Sequence, residues 1–294
     1  MTIQRMCELA GVSRASFYRD WEQKAPGEAE IALRDAMQRI ALTHRDHGYR
    51  RITALLQRAG FVVGEEKVRR RLKMDNLLAV RRRKFVVTTD SNHRFHVHPN
   101  LAESLEVTAI NQLWVADITY IRLQREFVFL GVVLDAFSRK VIGWELGRTL
   151  ETKLPLAALE AAIASRHPQP GLVHHSDRGT QYASSEYVKR LEVCGAHLSM
   201  SRSGRPWENG KCESFMKTLK REEIDARRYA TFAELRDHLE EFIEQIYNQV
   251  RLHSALRYRS PNEFEEELID EAKWSPAALS FLRHDEIYRS DVES

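Results

Sequence analysis

Three acidic residues have the type and spacing to do chemistry: Asp117 in WVADITYI, Asp177 in VHHSDRGTQY, and Glu213 in WENGKCESFMKTLKRE. Thirty-five residues separate Asp177 from Glu213, and Lys220 follows the glutamate by seven. Converging carboxylates of this kind can hold a pair of Mg²⁺ ions that activate one oxygen and stabilise another during in-line attack on phosphorus. Phosphoryl transfer on DNA is therefore the leading reading. Each acid alone has a plainer alternative. Asp117 can accept backbone hydrogen bonds inside an apolar segment, where an unpaired carboxylate is costly. Asp177 can turn the chain at the end of an apolar run. Glu213, Lys217 and Lys220 fall at i, i+4 and i+7 of one helix, where an acid above two lysines can be a surface ion pair. In the functional reading Glu213 completes the metal cage while Lys217 and Lys220 approach DNA phosphates.

The elements that must position these residues begin near residue 108. Runs rich in β-branched and aromatic residues at 114–121, 127–134 and 141–146, joined by short polar connections, predict an antiparallel meander. An Ala/Leu-rich helix at 154–165, a strand at 171–176, a helix at 184–194 and a strand at 197–201 follow. This order predicts an α/β domain with a mixed five-stranded sheet and helices on its faces, with sites gathered at strand ends. Cys212, Phe215, Met216 and Leu219 form the buried stripe of the helix carrying Glu213. His175 and Arg178 flank Asp177 and are available to orient it or DNA. Residues 232–247 predict an amphipathic helix, followed by Asn248, Arg251, His253 and Ser254 as DNA contacts or packing residues. The acidic stretch 263–271 predicts a solvated helix face.

Upstream, residues 2–21 read as two short helices about a Gly11 turn, with Ser13 capping the second. In a helix-turn-helix, Arg14, Ser16 and Arg19 would face a major groove; a plain helical hairpin is the alternative. After the Pro26-Gly27 break, helices are predicted at 28–44, 50–59 and 65–75. On the third, Val68 and Leu72 face a core and Lys67, Arg69, Arg70, Arg71 and Lys73 cover the remainder, a second all-α candidate for phosphate contacts. Arg81-Arg82-Arg83-Lys84 reads as a basic linker, with a nuclear address as its rival. His93, His96 and His98 lack an evident fourth ligand and are assigned to a solvated linker, not to zinc.

Composition bounds these readings. A chain of 294 residues accommodates more than one compact unit. Residues 1–99 hold 20 Lys and Arg against 11 Asp and Glu, a net of +9, although the whole chain is only +3. That asymmetry predicts an N-terminal region that meets a polyanion, solvated helix faces being the bland alternative. No stretch approaches the ~18 apolar residues of a membrane span, and the first residues carry no signal-peptide pattern. Three cysteines, Cys7, Cys194 and Cys212, show no CxxC spacing, which predicts a reducing, cytoplasmic compartment.

WVADITYI, HHSDRGTQY, ENGKCESFMKTLK and YNQVRLHSALRYRSPNEFEEEL occur in order, with HGYRRI at 47–52 before them. Together they resemble the OrfB-type insertion-sequence transposases of the IS3 family, within the retroviral-integrase superfamily. The resemblance covers residues 5 to 270 and implies a ribonuclease H-like catalytic core preceded by helix-turn-helix regions. It implies that Asp117, Asp177 and Glu213 are a metal-holding D,D,E triad, with Lys220 as the trailing basic residue. It also implies two Mg²⁺ ions, replaceable by Mn²⁺, and 3′-end cleavage with strand transfer on double-stranded DNA. A homo-oligomer on DNA, an upstream OrfA-type partner or fusion, and a bacterial nucleoid setting are further implications. The expected organisation is a helix-turn-helix at 1–25, a basic helical domain at 28–84, a linker at 85–107, the catalytic core at 108–225 and a helical extension at 226–294. Where the family often has Trp-Asp-Asn, this chain has Trp207-Glu208-Asn209. Two rivals are a metal-dependent nuclease without joining activity and a non-catalytic helix-turn-helix regulator.

Overall fold

The computed structural model describes residues 2–11, 13–14, 28–44, 46–75, 77, 98–202 and 205–273. Most of the expected second helix of the first helix-turn-helix, with Ser16 and Arg19, lies outside the described residues, as do Arg81 to Lys84, His93 and His96. Contacts divide the chain into two units, 1–81 and 82–294.

The first unit contains α1 (Ile3–Ala10), α2 (Glu28–Thr43), α3 (Tyr49–Arg58) and α4 (Glu65–Met74). Thr2 caps α1 by accepting from the Arg5 N–H, and Gly11 ends it at φ 64°, a left-handed conformation in which glycine carries no Cβ penalty. Leu33, Met37, Ile52, Leu56, Val68 and Leu72 close one apolar core among α2, α3 and α4. Val68 and Leu72, four residues apart, supply the buried stripe of α4, as their helical spacing predicts.

In the second unit, β1 (Leu113–Arg122), β2 (Phe127–Asp135) and β3 (Val141–Gly147) form the antiparallel meander. Then come α5 (Lys153–Arg166), β4 (Val173–Ser176), α6 (Ser185–Val193) and β5 (His197–Met200). The sheet order is β3-β2-β1-β4-β5, with β4 parallel to both β1 and β5. A short 3₁₀ turn (Pro206–Asn209) leads into α7 (Gly210–Leu219), and α8 (Phe232–Glu240) and α9 (Pro261–Lys273) follow. This mixed sheet with flanking helices is the ribonuclease H-like fold expected from the sequence.

Strand alternation sends β1 side chains to two different cores. Val115 and Ile121 pack with Phe215, Leu219, Leu239 and Phe242, so helices from 210 onward cover that face. Trp114 and Ala116 pack with Leu159, Tyr187 and Leu191, so α5 and α6 cover the other. At Gly143 of β3, a Cβ would lie 2.2 Å from the Ala158 carbonyl oxygen and 2.7 Å from the Ala162 nitrogen. Only glycine lets α5 approach so closely.

The structure departs from the sequence-based expectations in two places. The helix expected over 232–247 changes at Glu241 to a π-helix ending at Val250, and a second π turn, Lys220–Ile224, follows α7. π turns occur as insertions within α-helices, so a sequence read as one amphipathic helix carries no separate mark of them. The acidic face at 263–271 is not wholly solvated: Glu265 is buried against Arg166 at 2.6 Å and Lys140 at 3.6 Å. Asn248 and Arg251, which the sequence left open between DNA contact and packing, are buried. Asn248 both accepts from and donates to the Val141 backbone at 3.0 Å, completing the edge of β3 as another strand would, and Arg251 is paired with Glu222 at 2.8 Å.

Candidate active site

Asp117 lies on the central strand, opposite Val132 of β2. On its other side, β1 and β4 run parallel with Val115 aligned to His175. Two further residues along each strand bring Asp117 alongside Asp177, which sits just beyond the end of β4. Neighbouring strands lie about 4.8 Å apart, so this register brings the two acidic residues near each other at the end of β4. Asp117 Oδ1 accepts from the Ile118 N–H and Asp177 Oδ1 from the Gly179 N–H, each at 2.9 Å. Burial, and then the charge of Asp177, push the Asp117 carboxyl up to about 7; Glu213 adds in the same sense, while the Ile118 N–H and Lys220 oppose.

Glu213 occupies the first turn of α7 and meets Lys217 at 2.8 Å, the two side chains 40% and 70% exposed. The ion pair expected of a plain helix face is therefore present. Lys220 stands 5.2 Å from the Tyr120 ring centroid, within cation–π range. Burial lowers its pKa, against the pull of Asp117 and Asp225.

The surroundings of the acids show what the flanking residues and the loop before α7 do. His175 is buried between Ser199 Oγ (2.8 Å) and Ser201 Oγ (2.9 Å), and burial lowers its pKa to about 4. Arg178 donates through Nε to the Ser201 carbonyl. Both flanking residues thus brace β4 against the strand beside it. Glu208 accepts from the Arg202 backbone N–H and Nε at 2.7 Å and from Asn100 Nδ2 at 2.9 Å, tying together the loop before α7. The glutamate that stands where relatives of the resembling family often have aspartate is thus the centre of that loop. Asn209 donates from Nδ2 to the Ala116 carbonyl at 2.9 Å, tying the start of α7 to the residue before Asp117. The hydroxyl of Tyr182, a fully buried side chain, has no hydrogen-bond partner among the described residues. No helical or strand period marks these loop residues.

Of the expected DNA contacts in the first unit, Arg14 is exposed. Lys67 and Arg71 both meet Glu30, at 2.9 and 2.5 Å, and Arg69 meets Glu66 at 2.8 Å. Arg70 and Lys73 are exposed on α4.

Among the described residues, no group of three or more His, Cys, Asp or Glu side chains is arranged to hold a metal ion. Asp117 and Asp177 nevertheless fit a hard divalent cation chemically. They are adjacent anionic oxygen donors whose mutual repulsion such a cation would relieve. Glu213 is the remaining oxygen donor whose charge reaches Asp117.

Two models of the integrase core domain match residues 107–206 and 194–261, and one of an HTH-like domain matches 28–85. The insertion element IS600 uncharacterized 31 kDa protein of Shigella sonnei is 36% identical over 266 residues, covering 89% of this chain and 97% of that protein. The transposase for insertion sequence element IS904 of Lactococcus lactis is 35% identical over 247 residues, covering 82% and 98%. The transposase InsF for insertion sequence IS3A of Escherichia coli is 30% identical over 270 residues, covering 90% and 94%.

Proposed function

We propose, given that this chain belongs to the insertion-sequence transposases of the IS3 type, that it cuts the 3′ ends of a DNA element and joins them to target DNA. Asp117, Asp177 and Glu213 are the acids we assign to that chemistry. Support comes above all from the juxtaposition of Asp117 on β1 with Asp177 just past the end of the parallel strand beside it, and from Glu213 on a helix whose start is bonded to the Ala116 carbonyl. The three acids would hold two Mg²⁺ ions, or Mn²⁺ in their place, which when bound lower the pKa of an attacking water or 3′-OH and stabilise the leaving oxygen. The protein's own part is preorganisation. The sheet fixes two of the acids before DNA arrives, so little rearrangement is needed as charge develops. Glu213, held by an exposed lysine, must exchange that partner to join them. Lys217 and Lys220 are then available to phosphate oxygens near the reacting strand.

In the helical unit, Arg14, Arg19, Lys67, Arg69, Arg70, Arg71 and Lys73 are assigned to phosphate and groove contacts that select the element ends. Joining two ends calls for at least two copies on DNA, and an upstream partner protein is compatible with this arrangement. Among the described residues no helix is long and apolar enough to cross a membrane; action in the bacterial cytoplasm, at the nucleoid, is part of the proposal.

The test is a strand-transfer assay on DNA carrying both element ends, with Mg²⁺, comparing wild type with Glu213→Gln. Joined products from wild type, and their loss in the variant with DNA binding retained, are expected. Cleavage without joining by wild type would turn the assignment to a nuclease, and joining by Glu213→Gln would remove Glu213 from the triad.

A further inference from the structure

Two buried asparagines of the catalytic unit bond to a strand backbone, and they do so differently. Asn248, 1% exposed, uses both ends of its amide on Val141, so donor and acceptor are both satisfied. Asn209, 7% exposed, uses one end: Nδ2 donates to the Ala116 carbonyl at 2.9 Å, and Oδ1 has no hydrogen-bond partner among the described residues. Nor does this side chain serve its own helix, since it makes no capping bond to α7. A buried acceptor left open costs stability, and native proteins carry few. Asn209 is therefore placed for its contact with β1, at the expense of its own satisfaction.

That contact falls beside the first two acids. β1 pairs with β4 as far as Val115, which is aligned with His175. Ala116 is the next residue and Asp117 the one after, while Asp177 follows His175 by two, just past the end of β4. On the other side of the bond, Asn209 joins the 3₁₀ turn Pro206–Asn209 to α7. Its φ of −107° and ψ of 34° are not helical, so the chain changes course here and the direction of α7 is set at this residue. Glu213 lies in the first turn of α7, roughly 6 Å along the axis at 1.5 Å per residue. Phe215 and Leu219 hold α7 against the sheet by apolar packing, which is non-directional and does not fix how far the helix slides along that face. A bond from one donor to one carbonyl does.

We propose that Asn209 is a positioning residue of the active site: its amide pins the start of α7 to β1 one residue before Asp117, and so sets where Glu213 stands relative to the other two acids. The inference rests on the reading of Asp117, Asp177 and Glu213 as the acids of DNA strand transfer. Asn209 acts through the backbone that carries them and takes no part in the chemistry itself. A reacting group misplaced by about 1 Å loses about 100-fold in rate, the scale expected when the pin is removed.

The assay is single-turnover strand transfer with Mg²⁺ by the full chain on DNA carrying both element ends. Wild type is compared with Asn209→Ala, Asn209→Ser, Asn248→Ala and Glu213→Gln, with DNA affinity and metal-free melting temperature measured on each. Serine keeps a polar group at the junction but is too short to reach Ala116, and it decides the matter if Asn209→Ala does not fold. Both Asn209 variants are expected to join DNA about 100-fold more slowly than wild type with unchanged DNA affinity. Asn248→Ala gives up two bonds to the backbone instead of one; it is expected to melt at least as low as either and to join at the wild-type rate. Wild-type rates in the Asn209 variants, or equal slowing in Asn248→Ala, make the Asn209 bond a structural one and overturn the assignment, while loss of joining in Glu213→Gln leaves the triad standing. Joining by Glu213→Gln overturns the triad reading, and this inference with it.

Discussion

The helical unit and the catalytic unit place their charges in opposite ways. On α4, Lys67, Arg69 and Arg71 each have a carboxylate of the same unit within 2.9 Å, on side chains that are 31% to 52% exposed. Such pairs form and break at little cost, so phosphates can replace Glu30 and Glu66 without disturbing the core beneath. In the catalytic unit Asp117 on β1 and Asp177, the residue after the end of β4, are brought near each other by the pairing of those strands, and the charge of each acts on the other. Exchangeable pairs suit a surface that must bind and release a long polyanion. A fixed, undercompensated pair suits a site that must attract cations and keep them in place.

If the fixed pair is the engine, Asp177→Asn has the largest effect. Strand transfer is expected to fall to about one-thousandth of wild type or below, with DNA binding retained in a gel-shift assay. The same substitution removes a like charge from Asp117, so the metal-free melting temperature is expected to rise. A fall in both activity and stability would instead make Asp177 a structural residue.

The contrast between buried and surface pairing sharpens at Glu222. Burial opposes its charge, yet the bidentate Arg251 pair holds its pKa down to about 2, from an ordinary 4.5. With the folded value depressed, the unfolded chain binds the proton more tightly, and stability falls as pH falls. This contribution is complete above about pH 4.5 and is lost as pH falls towards 2. Glu222→Gln is expected to cost about 3–5 kcal/mol in urea unfolding at neutral pH, because it leaves Arg251 buried and uncompensated. It is also expected to flatten the acid limb of the stability profile.

Gly143→Ala tests how rigidly the catalytic unit is packed. A methyl group driven against the backbone of α5 is expected to cost about 3 kcal/mol, read as a lower urea midpoint for the catalytic unit. Unchanged stability would mean that α5 can shift, and that the sheet is less firmly held than the fixed-pair comparison requires.

The smallest effect belongs to the surface. Glu30→Gln is expected to leave the thermal midpoint unchanged while tightening DNA binding about twofold and steepening its dependence on salt, as Lys67 and Arg71 are released to phosphates. A destabilised helical unit with unaltered DNA affinity would show that those two side chains serve the fold.

Asp117 and Asp177 stood out as candidates because carboxylates within or at the end of apolar β-rich runs are chemically conspicuous, and period-two alternation placed one on a strand and the other at a strand end. Val68 and Leu72 were legible on α4 for the corresponding reason, a helical spacing of four. Asn209 was not: its partner, the Ala116 carbonyl, is 93 residues away in the chain. Asn248, whose partner Val141 is 107 residues away, was open between DNA contact and packing until the fold brought the two together. Glu208 stood out only as a departure from a family pattern, and its bonds to Asn100 and Arg202 could not be foreseen from it. Glu265 looked like part of a solvated face because acidic helical runs usually are, and Arg166 on another helix decided otherwise.

The sequence by itself determined the order of strands and helices, the basic surface of α4 and which three acids are proposed as the triad. These depend on side-chain type and on periods of two or 3.6 residues, which are local properties of the chain. Tertiary structure alone decided that β4 lies beside β1 in the register that brings Asp177 near Asp117, and that Asn209, at the start of α7, is bonded to the Ala116 carbonyl. Strand pairing, burial and the field at a carboxylate are set by groups distant in sequence, and only the folded chain brings those groups within a few ångströms.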